Sequence, residues 1–372
     1  MNNGTLFKCE SDLKDIDILE RIGSPSLYGQ VFKACFRGSC SYVFKKIRLN
    51  RDDIDILYYY YCQDRAIKDC DRNKIDRNEV IKYHDDFRVM RQSIWTELLV
   101  LNLCNILLDQ EICFNLPRTY GYYFCNNCDF LNDDKKVVKY PCTLLVTELA
   151  DEDLYSWLKT ERATLELNVM FFQIFAGLYS LRKYFNIIHN DLHAGNILVK
   201  KIPKKKGEYM TYTIDGVDYH IPNIGYIFII WDFGYGKIPN KVKEIKKFQE
   251  YYKEQEKKGY DVVDYTRISK IVGSIVKNKE IKEIVKYILK CGKEKIPLQE
   301  LITIFVNFKN PLNKQILKCS FDKQIILPEK YSLLANDMMV YNVKPPTEPI
   351  EAIPYELLQG FNTNDFSKNQ RA

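Results

Sequence analysis

The chain has 372 residues and a formal net charge of +6 at pH 7; 46% of its residues are hydrophobic and 13% are aromatic. This length allows two lobes with separate cores, and the composition excludes wholesale disorder. The modest positive charge suits a phosphate ligand or an acidic partner, but it does not indicate specific nucleic-acid binding.

The ends and the cysteines of the chain indicate its compartment. No apolar run reaches the eighteen or so residues that a membrane span needs, and residues 1–15 lack the features of a signal peptide. We therefore expect a cytoplasmic protein whose twelve cysteines are free thiols. Cys125 and Cys128 form a lone CxxC motif, and because structural zinc normally needs four ligands, we expect spare thiols there.

Residues 19–34 predict a strand, a turn of small residues and a second strand. Gly23 and Gly29 flank the turn, with Ile22 before it and Val31 after it. Glycines let a backbone approach phosphate groups closely, and a β-branched residue after them can cover a flat base. A plain β-hairpin would explain this stretch almost as well.

The next strand, residues 41–49, carries Lys45. Residues 94–104 have the spacing of a helix, which places Glu97 on its apolar face. A buried carboxylate is costly unless it is paired, so we expect an ion pair between Lys45 and Glu97. Lys46 would point to the opposite face of the strand.

A charged, tyrosine-rich insertion at about residues 51–91 separates this strand from the helix. Both a docking surface and a partly disordered loop without a binding role fit this insertion, and we favour the second interpretation. Further along, residues 144–150 predict an apolar strand, and residues 163–185 are apolar nearly all round, as in a helix buried in a helical lobe.

Residues 189–196, His-Asn-Asp-Leu-His-Ala-Gly-Asn, follow an apolar segment and precede a strand-like run. Asp191 and Asn196 suit phosphoryl transfer, because an Asp can position a hydroxyl proton and an Asn amide oxygen can ligate a metal ion. After another apolar run comes Trp-Asp-Phe-Gly, with its carboxylate at Asp232.

The interval between Asn196 and Asp232 predicts an extra hairpin at about residues 200–230, turning at Asp215-Gly216. We interpret its lysine cluster at 200–206 as a solvated turn. The alternative is that these lysines contact phosphate or an acidic substrate.

These motifs, in this order, resemble those of the protein-kinase superfamily over about residues 15–270. The long interval and the Asp-Leu-His sequence are similar to the haspin branch and to kinases of large DNA viruses. The resemblance implies an α+β, bilobal fold. It places a small β-rich N-lobe at residues 1–149, a larger, mainly helical C-lobe at 150–342, and a tail at 343–372.

The resemblance also implies roles for individual residues. Lys45, fixed by Glu97, would hold the ATP phosphates, Asp191 would position the acceptor hydroxyl, and Asp264 would lie on a helix that braces the catalytic loop. The expected catalytic residues are Asp191, Lys45, Glu97 and His193. The expected ligands of Mg²⁺, or of Mn²⁺ in its place, are Asn196 and Asp232. The expected ATP-binding residues are Ile22, Gly23, Gly29, Val31, Val43, Lys45, Thr147, Glu148, Ala150 and Leu198.

The chain also departs from the family pattern. Asn190 stands where many protein kinases have an Arg, so we expect no receptor for an activation-loop phosphate and activity that does not depend on one. His193 replaces the lysine that steadies the transferred phosphate, and Ser26 stands at the second glycine position. The Ala-Pro-Glu motif is not recognisable after Gly234.

The function that the resemblance implies is a serine/threonine protein kinase of viral origin. Its partner would be a protein substrate, without specific nucleic acid or a membrane span, and the chain would be a monomer in the host cytoplasm and in virions. Two alternatives stay open. One is a small-molecule phosphotransferase of the aminoglycoside or choline type, and the other is a nucleotide-binding pseudokinase that acts as a scaffold.

Overall fold

The computed structural model describes residues 16–22, 29–36, 38–48, 94–131, 136–236, 260–305 and 315–325. The chain divides into two compact units. The first comprises Met1–Asn102, Arg118–Leu149 and Lys344–Ala372, and the second comprises Leu103–Pro117 and Ala150–Val343. Gly23, the 51–91 insertion and the C-terminal tail lie outside the described residues.

The first unit is built on a five-stranded sheet in the order β1-β2-β3-β5-β4, in which all neighbouring strands are antiparallel. The strands are β1 (Ile16–Ile22), β2 (Gly29–Phe36), β3 (Ser39–Arg48), β4 (Thr119–Leu131) and β5 (Val137–Glu148). Helix α1 (Ile94–Asp109) begins in this unit.

The two faces of this sheet have different chemistry. Phe44 belongs to an apolar cluster with Leu144 and Val146, and the Nζ of Lys46 lies 5.0 Å from the ring of Phe32 on the same side. Because side chains alternate along a strand, Lys45 points to the opposite face. Strand β3 therefore directs its two neighbouring lysines to different surroundings.

The second unit contains most of the helices and two three-stranded sheets. Its helices are α2 (Leu154–Trp157), α3 (Thr164–Phe185), α4 (Tyr260–Ile275), α5 (Lys279–Glu294) and α6 (Leu298–Ile302). One sheet has the order β10-β7-β6 and consists of β6 (Glu152–Asp153), β7 (Ile197–Lys201) and β10 (Tyr226–Ile230). The other has the order β11-β8-β9 and consists of β8 (Tyr209–Ile214), β9 (Val217–Pro222) and β11 (Gln315–Ser320).

Strands β8 and β9 form a hairpin that turns at Asp215 and Gly216, which have φ angles of 51° and 77°. A two-residue turn with two positive φ angles matches the twist of the flanking strands. Strand β11 adds to the hairpin in parallel, with its backbone paired to β8. The α+β class that the sequence predicts is confirmed.

Helix α3 is the core element of the second unit. By length and composition alone it could cross a membrane, but its apolar window is 72% buried inside the protein, as in the core helix of a globular unit. Glu166 accepts the Ala163 amide N–H where the helix begins, and Asn186 ends it in the left-handed conformation.

A buried amide network joins α3 to the strands around it. Gln173 Oε1 accepts hydrogen bonds from Asn115 Nδ2 and the Phe228 amide, both at 3.0 Å. Tyr212 donates to Asn115 Oδ1 at 3.0 Å. Because each buried polar group is satisfied by another, the network aligns β10, the strand that leads to Asp232.

The cysteine prediction is wrong for four residues. The structure joins Cys35 to Cys40 and Cys128 to Cys142 as disulfides, each pair lying on adjacent antiparallel strands. Pairing of the strands brings these side chains together, and the compartment of a protein does not determine strand pairing. Cys104, Cys113, Cys291 and Cys319 are buried free thiols.

Candidate active site

The loop at residues 189–196 is held to helix α4 by one buried carboxylate. Asp264 Oδ2 accepts the His189 amide N–H at 2.7 Å, and Asp264 Oδ1 accepts the Asn190 amide N–H at 2.8 Å. Asn190 has a φ of 64°, a conformation that Asn tolerates better than most residues. The two bonds therefore fix the backbone just before Asp191.

Asp264 itself is fully surrounded by protein. Desolvation raises the pKa of its carboxyl group, and the two backbone hydrogen bonds and the nearby Arg267 partly offset that rise by lowering the pKa. The sequence prediction placed this residue on the helix that braces the loop, and the structure brings it to the loop backbone.

The His189 ring joins the loop to the Trp-Asp-Phe-Gly segment. Its Nδ1 accepts the Asp191 amide N–H at 3.3 Å, and its Nε2 lies 2.8 Å from the Trp231 carbonyl oxygen. A ring that accepts at Nδ1 carries its proton on Nε2, and this N–H donates to the Trp231 carbonyl. This bond reaches the residue immediately before Asp232.

Asn196 closes the loop onto Asp191. Its amide Nδ2 donates to the Asp191 carbonyl at 3.0 Å, and its backbone N–H donates to the His193 carbonyl at 2.9 Å in a single 3₁₀ turn. The five-residue spacing allows this contact because the loop turns back on itself. With Nδ2 engaged, the amide oxygen is the Asn196 atom suited to a cation.

Asp232 lies at the same end of the β7–β10 pair as Asn196. Ile197 is paired with Ile230, and the Trp231 amide donates to the Asn196 carbonyl at 2.8 Å. Asp232 has a φ of 63°, in the left-handed region. Asn196 directly precedes Ile197, and Asp232 follows Ile230 by two residues. Because these two strand residues are paired, both predicted metal ligands lie at the same end of the β7–β10 pair.

The two oxygen ligands at this end of the strand pair fit Mg²⁺. A carboxylate and an amide oxygen are hard ligands, and Mg²⁺ in proteins commonly takes one or two carboxylates and completes its shell with water and substrate phosphates. Among the residues that the structure describes, no group of three or more His, Cys, Asp or Glu side chains could hold a metal. Water and a bound phosphate would therefore supply the remaining ligands.

Arg267 contacts Asp191 directly, and sequence reasoning missed it. Its guanidinium lies 2.8 Å from Asp191 Oδ1, and its Nη1 donates to the Asn190 carbonyl at 3.0 Å. The available signal was its spacing, because a residue three positions after Asp264 lies on the same helix face.

His193 makes a local contact. Its Nδ1 accepts the Gly195 amide N–H at 3.0 Å, which caps the 3₁₀ turn that follows. The ring is half-buried. Its predicted action on the transferred phosphate stays a prediction.

In the first unit, Lys45 and Glu97 form the ion pair that the spacing predicts. Lys45 Nζ lies 2.8 Å from Glu97 Oε1. Lys46, on the other face, donates to the Asp129 carbonyl at 3.0 Å. Strand alternation therefore gives the two lysines different partners.

The apolar residues expected to contact ATP in this unit share the sheet face of Lys45. Ile22 is paired with Val31, which is paired with Lys45 across β2 and β3. Val43, two residues before Lys45, is paired with Thr147. Directly paired residues project to the same face, so all five side chains line one side of the sheet.

Gly29 has a packing role in the structure. A Cβ at this position would lie 3.0 Å from the Lys46 carbonyl oxygen, because β2 and β3 run close together there. The glycine is therefore explained by close approach of two strands, whether or not a phosphate also approaches it.

The remaining predicted ATP contacts are divided between the units. The Glu148 amide N–H donates to the Arg118 carbonyl at 3.0 Å, so this donor is already used inside the first unit. Ala150 and Leu198 belong to the second unit, where Leu198 is half-buried on β7 and paired with Ile229.

Comparison with known proteins identifies viral relatives, although no family model matches the chain. It is 34% identical over 143 residues to "Probable serine/threonine-protein kinase 380R" of Invertebrate iridescent virus 6, covering 37% of this chain and 26% of that protein. It is 33% identical over 144 residues to "Putative serine/threonine-protein kinase 019R" of Frog virus 3 (isolate Goorha), covering 38% of this chain and 17% of that protein.

A third relative, "Uncharacterized protein 011L" of Invertebrate iridescent virus 3, is 28% identical over 144 residues, which cover 35% of this chain and 18% of that protein. The chain thus spans about a quarter or less of the length of these relatives. The predicted resemblance to the protein-kinase superfamily, and to kinases of large DNA viruses in particular, is confirmed by these matches.

Proposed function

We propose that the protein is a serine/threonine protein kinase that transfers the γ-phosphate of ATP to a hydroxyl group of a protein. The observation that carries this proposal is the loop in which Asn196 holds the Asp191 backbone and adjoins the segment that bears Asp232. The names of the viral relatives support the same activity.

Each unit contains groups that suit this reaction. In the second unit, Asp191 would accept a hydrogen bond from the acceptor hydroxyl, and Asn196 and Asp232 would hold Mg²⁺. The metal, when bound, neutralises charge on the ATP phosphates. In the first unit, Glu97 fixes Lys45, whose ammonium group binds phosphate oxygens.

The proposal includes activity that does not require phosphorylation of the segment after Gly234. Asn190 has no cationic side chain with which to bind such a phosphate, and its backbone is already held by Asp264. Treatment of the purified protein with a phosphatase should leave its rate unchanged. A large loss of rate would refute this part.

We place this activity in the cytoplasm of an infected host cell, because both relatives named as kinases are viral proteins. The substrate is accordingly a protein of the virus or of the host. Packaging into virions is a further part of the proposal, and immunoblotting of purified particles would test it.

The decisive experiment measures transfer of labelled phosphate from Mg·ATP to casein and histone mixtures. Wild type is compared with Asp191→Asn and with the matched control Asp218→Asn, which removes an exposed carboxylate on β9. Losing the positioning carboxylate should lower the rate by about a hundredfold or more. The control should keep the wild-type rate.

Two other results would overturn the proposal. Phosphorylation of an aminoglycoside or choline, with no transfer to protein, would identify a small-molecule phosphotransferase. Nucleotide binding without transfer to any acceptor would identify a scaffold.

A further inference from the structure

Arg267 reaches the catalytic loop from helix α4, far along the chain. Its guanidinium makes two contacts there, an ion pair with Asp191 Oδ1 at 2.8 Å and a hydrogen bond to the Asn190 carbonyl at 3.0 Å. A guanidinium is a planar fork of five donors, so two simultaneous contacts restrict its orientation. Arg267 therefore holds the Asp191 carboxylate and the backbone beside it.

The helix presents Arg267 and Asp264 to the same loop. They are three residues apart, which places them on one face of α4. Asp264 accepts the amide hydrogens of His189 and Asn190, while Arg267 donates to the next carbonyl along. The loop backbone is thus anchored by Asp264 and the Asp191 side chain by Arg267.

The loop itself supplies no strong cation next to Asp191. Asn190 is neutral, and His193 Nδ1 accepts the Gly195 amide N–H, which requires that nitrogen to be unprotonated. Within the part of the chain that the structure describes, Arg267 is the cationic side chain within ion-pair distance of the Asp191 carboxylate.

We propose that Arg267 is the positioning residue of Asp191: it holds Oδ1 and so directs Oδ2 to the acceptor hydroxyl. This inference rests on the proposed kinase function. In the transfer step, the hydroxyl oxygen forms a new bond to the γ-phosphorus, and the bond from that phosphorus to the β–γ bridging oxygen breaks. ADP leaves with the electron pair, and the hydroxyl proton passes to Asp191 Oδ2.

A purely structural tie between helix and loop is the competing explanation. The Arg267 and Asp191 side chains are 44% and 26% exposed, and exposed ion pairs contribute little to stability. The buried Asp264 bonds already attach the loop to α4. A positioning role and a structural role therefore predict different effects on kcat and on thermal unfolding.

The test compares full-length wild type with Arg267→Met, Arg267→Lys and the control Lys270→Met. Lys270 is an exposed cation on the same helix, outside the catalytic machinery. Steady-state transfer to casein is measured at varied ATP, and thermal unfolding is recorded for every variant.

We expect Arg267→Met to lower kcat by about ten- to a hundredfold, because misplacing a reacting group is costly. KM for ATP should stay within about twofold of wild type, since nucleotide binding is not affected. Arg267→Lys keeps a donor for Oδ1 and should recover part of kcat. Lys270→Met should match wild type, and all variants should unfold near the wild-type temperature.

A second arm places Arg267→Met in the Asp191→Asn background. If Arg267 acts through Asp191, the double variant should be about as slow as Asp191→Asn alone, because residues that act as a unit are not additive. Loss of the same factor in both backgrounds would overturn the inference.

The remaining outcomes are also decisive. An Arg267→Met variant with wild-type kcat would overturn the inference and leave the kinase proposal intact. A loss of kcat that follows a lowered unfolding temperature and is not recovered by Arg267→Lys would show a structural tie. Absence of transfer by wild type and Lys270→Met alike would overturn the proposed function and this inference with it.

Discussion

Lys45 Nζ lies 2.8 Å from Glu97 Oε1, and the two side chains are only 11% and 6% exposed. Bringing both charges out of water is costly, and their attraction offsets this cost only while both are present. The pair therefore joins strand β3 to helix α1. Replacing either residue alone should destabilise the protein, because the other charge stays buried.

Replacing Lys45 by Met should lower the free energy of unfolding by about 3 kcal/mol, because Glu97 loses this cation while it stays buried. The double variant Lys45→Met/Glu97→Leu should regain much of that loss, since no buried carboxylate is left at the position. Urea denaturation of the two single variants, the double variant and wild type measures the coupling. The matched control is Lys33→Met, a half-buried lysine of β2, and a double variant no more stable than Lys45→Met would contradict the argument.

Asp264→Asn should weaken the attachment of the catalytic loop. A carboxylate accepts two backbone N–H groups, but an amide presents one oxygen and one NH₂, so the His189 or Asn190 amide loses its acceptor. We expect a loss of about 1–3 kcal/mol in the free energy of unfolding, together with slower transfer. Chemical denaturation and the labelled-phosphate assay measure both, with Asp218→Asn as the exposed control.

The difference in the free energy of unfolding between wild type and Asp264→Asn should also depend on pH. Desolvation raises the folded-state pKa of Asp264 above its ordinary value of 3.8. Between the two pKa values the folded state binds more protons than the unfolded state. The contribution of Asp264 to the free energy of unfolding is therefore largest below the ordinary pKa, and it is lost as the pH rises through the folded-state pKa. The stability difference should therefore shrink as the pH rises above 3.8 and through the folded-state pKa. A difference that grows over this range would show that the pKa is lowered instead.

Asp232→Asn should impair metal binding while preserving the backbone, because Asn tolerates the left-handed conformation that Asp232 adopts. Removing the charged ligand should lower the transfer rate by about a hundredfold and raise the Mg²⁺ concentration needed for half-maximal rate. Titration of activity with Mg²⁺ measures both effects, and EDTA should abolish transfer by wild type. A variant with the wild-type Mg²⁺ requirement would exclude Asp232 as a metal ligand.

Gly292→Ala should disturb the contact between α5 and α4. An added Cβ would overlap the Thr266 methyl group and lie 3.3 Å from Val262 Cγ1. Thr266 cannot rotate away without losing its hydroxyl bond to the Val262 carbonyl. Although Ala favours a helix over Gly by about 1 kcal/mol, we expect a net loss of about 1–2 kcal/mol from overpacking. Urea denaturation beside Lys293→Ala, its exposed neighbour, measures this, and a gain in stability would show that the helices separate easily.

The sequence alone determines which chemical groups lie close together within one loop, strand or helix. Asp191 and Asn196 act within one short loop, so their five-residue spacing is sufficient to predict that they adjoin each other. Strand alternation likewise separates Lys45 from Lys46, and the helical spacing of Glu97 on an apolar face indicates a need for a cation. The α+β class was predicted from the resemblance of the ordered motifs to the protein-kinase superfamily.

Only the tertiary structure decided which distant groups complete that chemistry. Arg267 and the Asn190 carbonyl it contacts are 77 residues apart. Spacing places Arg267 on the same face of α4 as Asp264, but only the structure shows that its guanidinium reaches Asp191. The disulfide between Cys128 and Cys142 likewise depends on how β4 and β5 pair. Local patterns are set by the repeat of the helix or strand, but contacts between elements depend on how their faces pack together.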